Sequence, residues 1–163
     1  MKSIRILALG LTVGFSALAG NAQMPDPPTA PLPSALAKAT KLFIGNAGDL
    51  ENADCLRAYN SFYDGVSKLG RFTLVLDPNE ADLVLELHYE NVTGAVARQF
   101  RLVISDPRSH IILWSLREQV NLPALQKKRD KNFDEAAAAL VSDFNLLAAP
   151  QTSVPGNKSI FKH

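Results

Sequence analysis

The stretch 81–91 carries the residues with the clearest capacity for chemistry. Its sequence, ADLVLELHYEN, alternates apolar and polar side chains, which predicts a β-strand with one dry face and one wet face. Glu86, His88 and Glu90 share the wet face, with about 6.6 Å between successive members in strand geometry. Carboxylate and imidazole groups are zinc ligands, so these residues define one hypothesis, a small metal-dependent hydrolase.

A second group of ligands for such a metal site is missing from the sequence. The two remaining histidines, His110 and His163, lie in other parts of the chain. In an antiparallel sheet, carboxylates on the wet face pair readily with basic side chains of the neighbouring strand. Arg98 lies just before the next predicted strand, and Arg101 lies on it. We therefore favour cross-strand ion pairing, with no metal or other cofactor.

Motifs for nucleophilic or phosphate chemistry are also missing. The sequence holds no G-x-S-x-G elbow, no P-loop and no G-x-G-x-x-G turn. Cys55, the one cysteine, falls on the apolar stripe of a predicted helix. There a small core side chain is the favoured interpretation over a reactive thiol. We therefore predict a non-enzymatic domain.

A short basic run gives a second candidate contact surface. Lys127, Lys128 and Arg129 follow one another, and Lys131 comes two residues later. Such a concentration of charge attracts anionic lipid headgroups or an acidic cell-wall polymer. It equally suits a solvated loop ahead of a helix, which is the interpretation that we favour.

The segment 1–22 predicts export. Lys2 and Arg5 precede an apolar run over 6–19, and small residues at 20–22 suit cleavage. The run of 14 residues is shorter than the ~20 of a membrane-spanning helix, which favours a cleaved signal peptide over a retained anchor. Cleavage lowers the formal net charge from +1 to −1, which does not favour nucleic-acid binding. We expect a periplasmic or secreted protein without a membrane span after cleavage.

Proline content marks the start of the domain. Five prolines between positions 25 and 33 favour extended polyproline II structure, so residues 23–40 are predicted to form a semi-rigid linker. A single domain is predicted over 41–149. Residues 150–163 hold only scattered apolar side chains and are predicted to be a loose tail.

Within the domain, the hydrophobic period alternates between that of strands and that of helices. Strands are predicted at 41–46, 72–76 and 81–91 and in a hairpin over 100–120 that turns at Asp106-Pro107, and helices at 49–70 and from Asn132, capped with Glu135, to Ala148. This pattern predicts an α+β fold, a two-layer sandwich with the order β-α-β-β-β-β-α. One mixed, mostly antiparallel sheet of about five strands carries two helices on one face. Trp114 is predicted to be buried under a helix.

Three of these segments together resemble a known group of exported proteins. They are KLFIGN at 41–46, ADLVLEL at 81–87 and DPRSHIILWS at 106–115. In this combination the chain is similar to envelope lipoprotein domains related to the N-terminal domain of TolB and to CsgG-type assembly proteins. The resemblance implies partner binding in envelope assemblies and brings no catalytic residue to this sequence. The chain departs from the lipoproteins of this group in having no cysteine directly after its apolar run.

Taken together, these observations predict a binding or assembly module of the cell envelope. Its partner is expected to be another envelope protein, held by an edge of the sheet or by the wet face. The candidate contact residues are Glu86, His88, Glu90, Arg101, Lys127, Lys128 and Arg129.

Overall fold

The computed structural model of the chain describes residues 32–49, 51–93 and 97–150. The predicted signal peptide at 1–22 and all but the first residue of the predicted tail lie outside the described residues. The elements are α1 (Ser34–Lys38), β1 (Lys41–Asn46), α2 (Ala53–Lys68), β2 (Thr73–Leu74), a 3-10 turn (Pro78–Glu80), β3 (Leu83–Asn91), β4 (Ala97–Ser105), β5 (Ile112–Asn121) and α3 (Gln126–Leu147).

The strands form one mixed sheet in the order β2-β1-β3-β4-β5. β1 runs parallel to β2, to which α2 connects it, and also parallel to β3. β3, β4 and β5 follow as an antiparallel meander. α2 and α3 pack against one face of the sheet and against each other. The predicted two-layer α+β architecture and its order of main elements are therefore confirmed.

The core lies between the sheet and the two long helices because each contributes one apolar surface. Leu83, Leu85 and Leu87 alternate along β3 and are at most 1% exposed, as the period of two predicts. The buried residues of α2 recur at spacings of three and four, which is the predicted helical stripe. Cys55 belongs to this stripe and is a core residue. The buried side chains of the helices are Cys55, Ala58, Phe62 and Val66 on α2, and Phe133, Ala136, Ala137, Leu140, Val141 and Phe144 on α3.

Gly65 allows α2 and α3 to approach each other closely. A Cβ atom at position 65 would lie 2.7 Å from Val141 Cγ2, whereas carbon atoms in contact are about 3.5–4.0 Å apart. Glycine has a low helix propensity, so at an interior position it weakens a helix. In the folded domain it makes room for the neighbouring helix.

The short helix α1 differs from the prediction for residues 23–40. The sequence predicts an extended linker there, whereas residues 34–38 form a helix that begins directly after Pro33. Leu36 is fully buried and belongs to the same core cluster as Leu42 of β1. Burial of this side chain removes apolar surface from water, which favours a packed turn over an extended spacer. This part of the predicted linker therefore belongs to the domain.

α3 begins earlier than the sequence pattern predicts. Residues 121–131 are predicted to be a polar connection, but the helix starts at Gln126 with Leu125 as its N-cap. Asn132, the predicted cap, lies inside the helix and donates a hydrogen bond to the Asn121 carbonyl (3.0 Å). The prediction was wrong because Gln, Lys and Arg are good helix formers, although they carry no apolar period. The basic run therefore lies on the first turns of α3 and not in a loop.

The hairpin between β4 and β5 turns at Asp106, as predicted. The carboxylate of Asp106 accepts hydrogen bonds from the Arg108 N–H (2.8 Å) and the Ser109 hydroxyl (3.0 Å). Such bonds from a side chain to its own turn are the reason that aspartate favours this position. A β-bulge interrupts the pairing of the two strands at Ile104 and Ser105.

Trp114 is only partly buried, so its predicted enclosure under a helix is wrong. It pairs with Ile104 across the hairpin and packs against the edge of the core. Its strand, β5, is the last in the sheet order. A strand with a neighbour on one side only leaves part of a large side chain in water.

None of the helices in the described ranges is both long enough and apolar enough to cross a membrane.

Candidate functional site

The face of the sheet that carries no described helix holds most of the residues predicted from sequence, and we call it the open face. Glu86, His88 and Glu90 alternate with the buried residues of β3 and therefore lie on it. Across the strands, His88 pairs with Arg101 of β4, and Arg101 pairs with Arg117 of β5. His88, Arg101 and Arg117 thus form a row across three strands of the open face, which we call the basic row.

The carboxylate of Glu90 is held by two side chains of β4. Arg101 donates from Nε to Oε1 (3.0 Å) and from Nη2 to Oε2 (3.3 Å), and Gln99 Nε2 donates to Oε1 (2.8 Å). The hydrogen bonds from Arg101, followed by that from Gln99, lower the pKa of Glu90. The predicted cross-strand pairing is therefore confirmed for Arg101. Arg98 pairs instead with Asp54 of α2.

His88 lies between Glu86 and Glu90 along β3, but the three side chains do not converge. Glu86 is exposed, and Glu90 is turned towards Arg101. Burial, followed by the charge of Arg101, lowers the pKa of His88 and favours its neutral form. In the part of the chain that the structure describes, no group of three or more His, Cys, Asp or Glu residues is arranged to hold a metal ion.

Arg117 is the member of the basic row with the most freedom. It lies opposite Arg101, and like charges at paired positions destabilise a sheet. Glu90 offsets the charge of Arg101, whereas the ion pairs found among the described residues do not include Arg117. Arg117 is also exposed. Its guanidinium is therefore available to an acidic group from outside.

The outer side of β5 adjoins the open face. The strand is ten residues long and stands at the end of the sheet order, so within the described ranges its outer backbone groups pair with no other strand. Ile111, which precedes the strand, and Ile112, its first residue, are 61% and 64% exposed. An edge of this kind is a template for another strand.

The basic run at the start of α3 does not act as one surface. Lys127 and Lys128 are exposed to solvent, whereas Arg129 is partly buried. Arg129 lines a cleft between the first turns of α2 and α3 and the adjoining ends of β3, β4 and β5. We call this the arginine cleft. It encloses about 180 Å³, and its main lining residues are Asp54, Arg57, Tyr89, Arg98, Arg129 and Phe133.

Two of the three arginines in the cleft are neutralised by aspartates. Arg57 donates to Asp130 (2.7 Å) and to Asp134 (2.9 Å) of α3, and Arg98 pairs with Asp54. The hydrogen bond from Arg57 is the main reason that the pKa of Asp130 is lowered. The side chain of Asp54 is free to pair with Arg98 because Asn52, and not Asp54, caps α2. The Asn52 side chain accepts a hydrogen bond from the Asp54 N–H (2.9 Å). These pairs fix the two helix starts relative to the sheet.

Both neutralised arginines also cover aromatic rings. The guanidinium carbon of Arg57 lies 4.1 Å from the ring centre of Phe133, and that of Arg98 lies 5.4 Å from the ring centre of Tyr89. Attraction between a cation and a ring face holds such side chains in place. The cleft therefore has fixed walls.

Arg129 differs from the other two arginines. Its Nε atom is buried and has no hydrogen-bond acceptor among the described residues. A donor buried without an acceptor costs about 1–3 kcal/mol. Arg129 is thus the polar group in the cleft whose hydrogen bonding is incomplete.

Sequence reasoning found Arg129 but not the cleft around it. Arg57 and Asp130 are 73 positions apart, and no periodic pattern links them. Arg98 is assigned from sequence to the wet face, whereas it extends to Asp54 at the start of α2. Only the packing of α2 beside α3 brings these residues together.

One prediction concerns Glu118 of β5, which faces the helix layer near Asp143 of α3. Burial, followed by a hydrogen bond and charge repulsion from Asp143, raises the pKa of Glu118. A raised pKa in the folded state means that ionisation opposes folding as pH rises from the ordinary value towards the raised one. Glu118→Gln should therefore raise the free energy of unfolding at pH 7 by about 0.5 kcal/mol, a small gain because Glu118 is only partly buried and Asp143 is exposed.

Urea unfolding at pH 3 and pH 7 tests this prediction. The gain should vanish at pH 3, because there Glu118 is protonated in both the folded and the unfolded states. Glu86→Gln, an exposed change on the open face, is the matched control and should be nearly neutral at both pH values. An equal effect of Glu118→Gln at the two pH values would mean that packing, and not charge, is responsible.

Comparison with known proteins gives similarity of structure only. Neither a family model nor a curated protein matches the sequence. The chain is similar to a PelC dodecamer subunit from Paraburkholderia phytofirmans (15% identity, 69% of this chain and 89% of that one, TM-score 0.49). It is also similar to a DUF330 protein from Xanthomonas campestris (7%, 68% and 82%, 0.48) and to TolB from Acinetobacter baumannii (20%, 68% and 28%, 0.41). TolB was part of the predicted resemblance, whereas the other two structures are described as PelC and DUF330 proteins, so the similarity suggests a fold like theirs rather than the CsgG-type group.

Proposed function

We propose that the chain is an exported, non-enzymatic binding module that contacts another protein of the cell envelope through its open face and the adjoining edge of β5. The observation that carries the proposal is the side of the sheet that no helix of the described residues covers. Both long helices lie on the opposite face, while the open face presents fixed polar groups beside β5, whose outer side pairs with no other strand of the described residues. Export rests on the signal-peptide pattern of residues 1–22.

The state of the titratable groups favours binding over catalysis. A general acid or base works best with a pKa near the working pH and with free access to substrate. The pKa of Glu90 is lowered, and its oxygens are occupied by Arg101 and Gln99. These contacts serve to hold the open face in one arrangement.

The partner that fits this surface is a protein strand with an acidic side chain. Main-chain hydrogen bonds to an open edge give affinity, and alternate side chains give specificity. Arg117 lies on that edge strand, exposed and outside the ion pairs of the described residues. Glu86, His88, Glu90 and Arg101 then form the adjacent contact surface.

Site-specific photo-crosslinking in the native host tests the proposal. A photoreactive residue at Gln119, exposed on β5, should give a discrete adduct with one envelope protein. The same residue at Lys68, exposed on α2 in the helix layer, is the control and should not give that adduct. Arg117→Glu should reduce the Gln119 adduct several-fold, because a like charge then faces the acidic partner.

Two outcomes would contradict the proposal. Equal adducts from Gln119 and Lys68 would mean that the contact is not located on the open face. An adduct formed only between two copies of the chain would replace the envelope partner with self-association.

A further inference from the structure

The two sides of the edge strand β5 carry opposite charges. Successive side chains of a strand point to opposite faces of the sheet. Arg117 pairs with Arg101 and lies on the open face, whereas Glu118 pairs with the buried Phe100 and lies on the side of the helices. A strand that adds to this edge therefore places two consecutive residues opposite Arg117 and Glu118, one on each face.

The charge on the helix side is not balanced within the described ranges. Glu118 lies next to Asp143 of α3, and burial, followed by a hydrogen bond and charge repulsion from Asp143, raises the pKa of Glu118. None of the ion pairs of the described residues includes either carboxyl group. Glu118 is only partly buried and Asp143 is exposed, so a cation from solvent can reach both.

A groove between β5 and α3 gives a long side chain access to Glu118. It encloses about 290 Å³. Its lining includes Glu118, Gln119, Asn132, Glu135, Ala136 and Ala139. The two alanines have short side chains, so α3 leaves room beside the strand. A lysine or arginine fits this groove, because its apolar stem can lie on the alanines while its charged end meets the carboxyl groups.

A second copy of the chain does not supply this cation by pairing β5 with β5. Residues that pair directly across two strands point to the same face. The helix side of β5 is apolar apart from Glu118, since its other members are Trp114, Leu116 and Val120. In such a dimer each Glu118 would therefore meet an apolar residue or the other Glu118.

Residues 151–163 carry two lysines, but as a strand on this edge they would require an unfavourable crossover. α3 runs back along β5, because Asn132 near its start contacts Asn121 at the end of the strand. A strand directly after α3 would therefore run parallel to β5. β1 points the same way as β5 and reaches its parallel neighbour β2 by a crossover on the same face, but towards the other end of the sheet. The two crossovers would have opposite hands, whereas about 98% of such connections are right-handed.

From these observations we infer that β5 receives a strand of another protein in which an acidic and a basic residue are adjacent, the acidic one over Arg117 and the basic one in the groove at Glu118 and Asp143. The inference rests on the proposed function, since it specifies the strand that this edge receives. Antiparallel pairing is the slightly more stable arrangement. In that direction the residue opposite position 118 precedes the one opposite position 117, so the partner's sequence has the basic residue first.

Proton–nitrogen NMR of the full chain with short peptides tests the inference. The probe is acetyl-Thr-Lys-Glu-Val-Thr-Val-amide, whose valines meet Leu116 and Trp114 when its lysine and glutamate lie opposite Glu118 and Arg117. It should shift the amide signals of β5 in a saturable manner, with a Kd on the order of 1 mM. Replacing its lysine with glutamine should weaken binding about fivefold, and exchanging its lysine and glutamate should weaken binding at least as much.

Glu118→Gln locates the effect on the protein. This variant is expected to be more stable than the wild type, so weaker binding cannot be attributed to unfolding. It should bind the lysine peptide about fivefold more weakly and the glutamine peptide as the wild type does. Glu80→Gln makes the same change at an exposed position in the 3-10 turn and is the matched control. It should leave both affinities unchanged.

Four results would overturn the inference. Equal binding of the lysine and glutamine peptides would mean that the groove does not select a cation, while the proposed function, which needs only the acidic residue over Arg117, would stand. If no peptide moves the β5 signals, the edge takes no strand of this kind. Signals that move with protein concentration alone would assign the edge to a second copy. Slow hydrogen exchange of the outer β5 amides in dilute free protein would assign it to residues 151–163.

The proposed function fails by a different observation. Absence of the crosslink at Gln119 in the native host would contradict the envelope partner and leave the peptide affinities as they are.

Discussion

Replacing Phe100 with alanine is expected to lower the free energy of unfolding by about 3–5 kcal/mol, the usual cost of removing a large aromatic side chain from a packed core. Phe100 is fully buried on β4, which pairs with a strand on each side. Its ring centre lies 4.9 Å from that of Tyr89 and 5.1 Å from that of Phe133. The substitution therefore opens a cavity where the sheet meets α3, and urea unfolding at neutral pH measures the loss.

Trp114→Ala is the comparison for this prediction. Trp114 is larger than Phe100, but it is partly in water on the edge strand, so its removal should cost only about 1–2 kcal/mol. A loss for Phe100→Ala below about 1 kcal/mol, or below that for Trp114→Ala, would mean that Phe100 does not lie in the packed core.

Gly65→Ala is expected to destabilise the domain by up to about 2 kcal/mol, although alanine is the better helix former. The intrinsic preference for alanine is worth about 1 kcal/mol. The added methyl group, however, would lie 2.7 Å from Val141 Cγ2. Overpacking of this kind costs about 1–3 kcal/mol and forces α2 away from α3, which should outweigh the gain in helix propensity.

The double variant Gly65→Ala, Val141→Ala identifies the cause. Val141→Ala alone leaves a space, and the methyl group at position 65 fills part of it. The double variant should therefore be more stable than the sum of the two single changes by about 1 kcal/mol, measured by a double-mutant cycle in urea. Additive effects would locate the cost of Gly65→Ala outside the contact with Val141.

The elements that could be predicted from sequence are the strands and helices in which apolar residues recur regularly on one face along the whole element. The alternation of Leu83, Leu85 and Leu87 predicts β3 and its buried face, and the stripe of α2 predicts the helix together with the burial of Cys55. In these segments the local pattern and the packed fold require the same residues. That agreement is what makes a pattern informative.

Where the pattern was weak, packing decided. The first turns of α3 are polar, so nothing periodic distinguishes them from a loop, yet Arg57 fixes them through Asp130 and Asp134. α1 contributes one deeply buried side chain, Leu36. A single apolar residue cannot show the spacing of three and four that predicts a helix.

The candidate site was predictable only in part, for the same reason. Glu90 and Arg101 lie on adjacent strands, so strand pairing alone suggests their contact. The arginine cleft instead joins five separate elements through contacts such as that of Arg57 with Asp130, 73 positions apart. No rule of local spacing extends over that distance.

The sheet order has a consequence for the sequence of events during folding. β3, β4 and β5 follow one another with few residues between them, so closing each pair restricts little of the chain. β1 and β3 are separated in sequence by α2 and β2. The contact of Thr40 with Asp82, the residues just before the two strands, spans 42 positions. Closing a longer loop costs more entropy, and distant pairings slow folding. The meander should therefore assemble early, and β1 should join it late, so that this parallel pairing sets the rate at which the native sheet is completed.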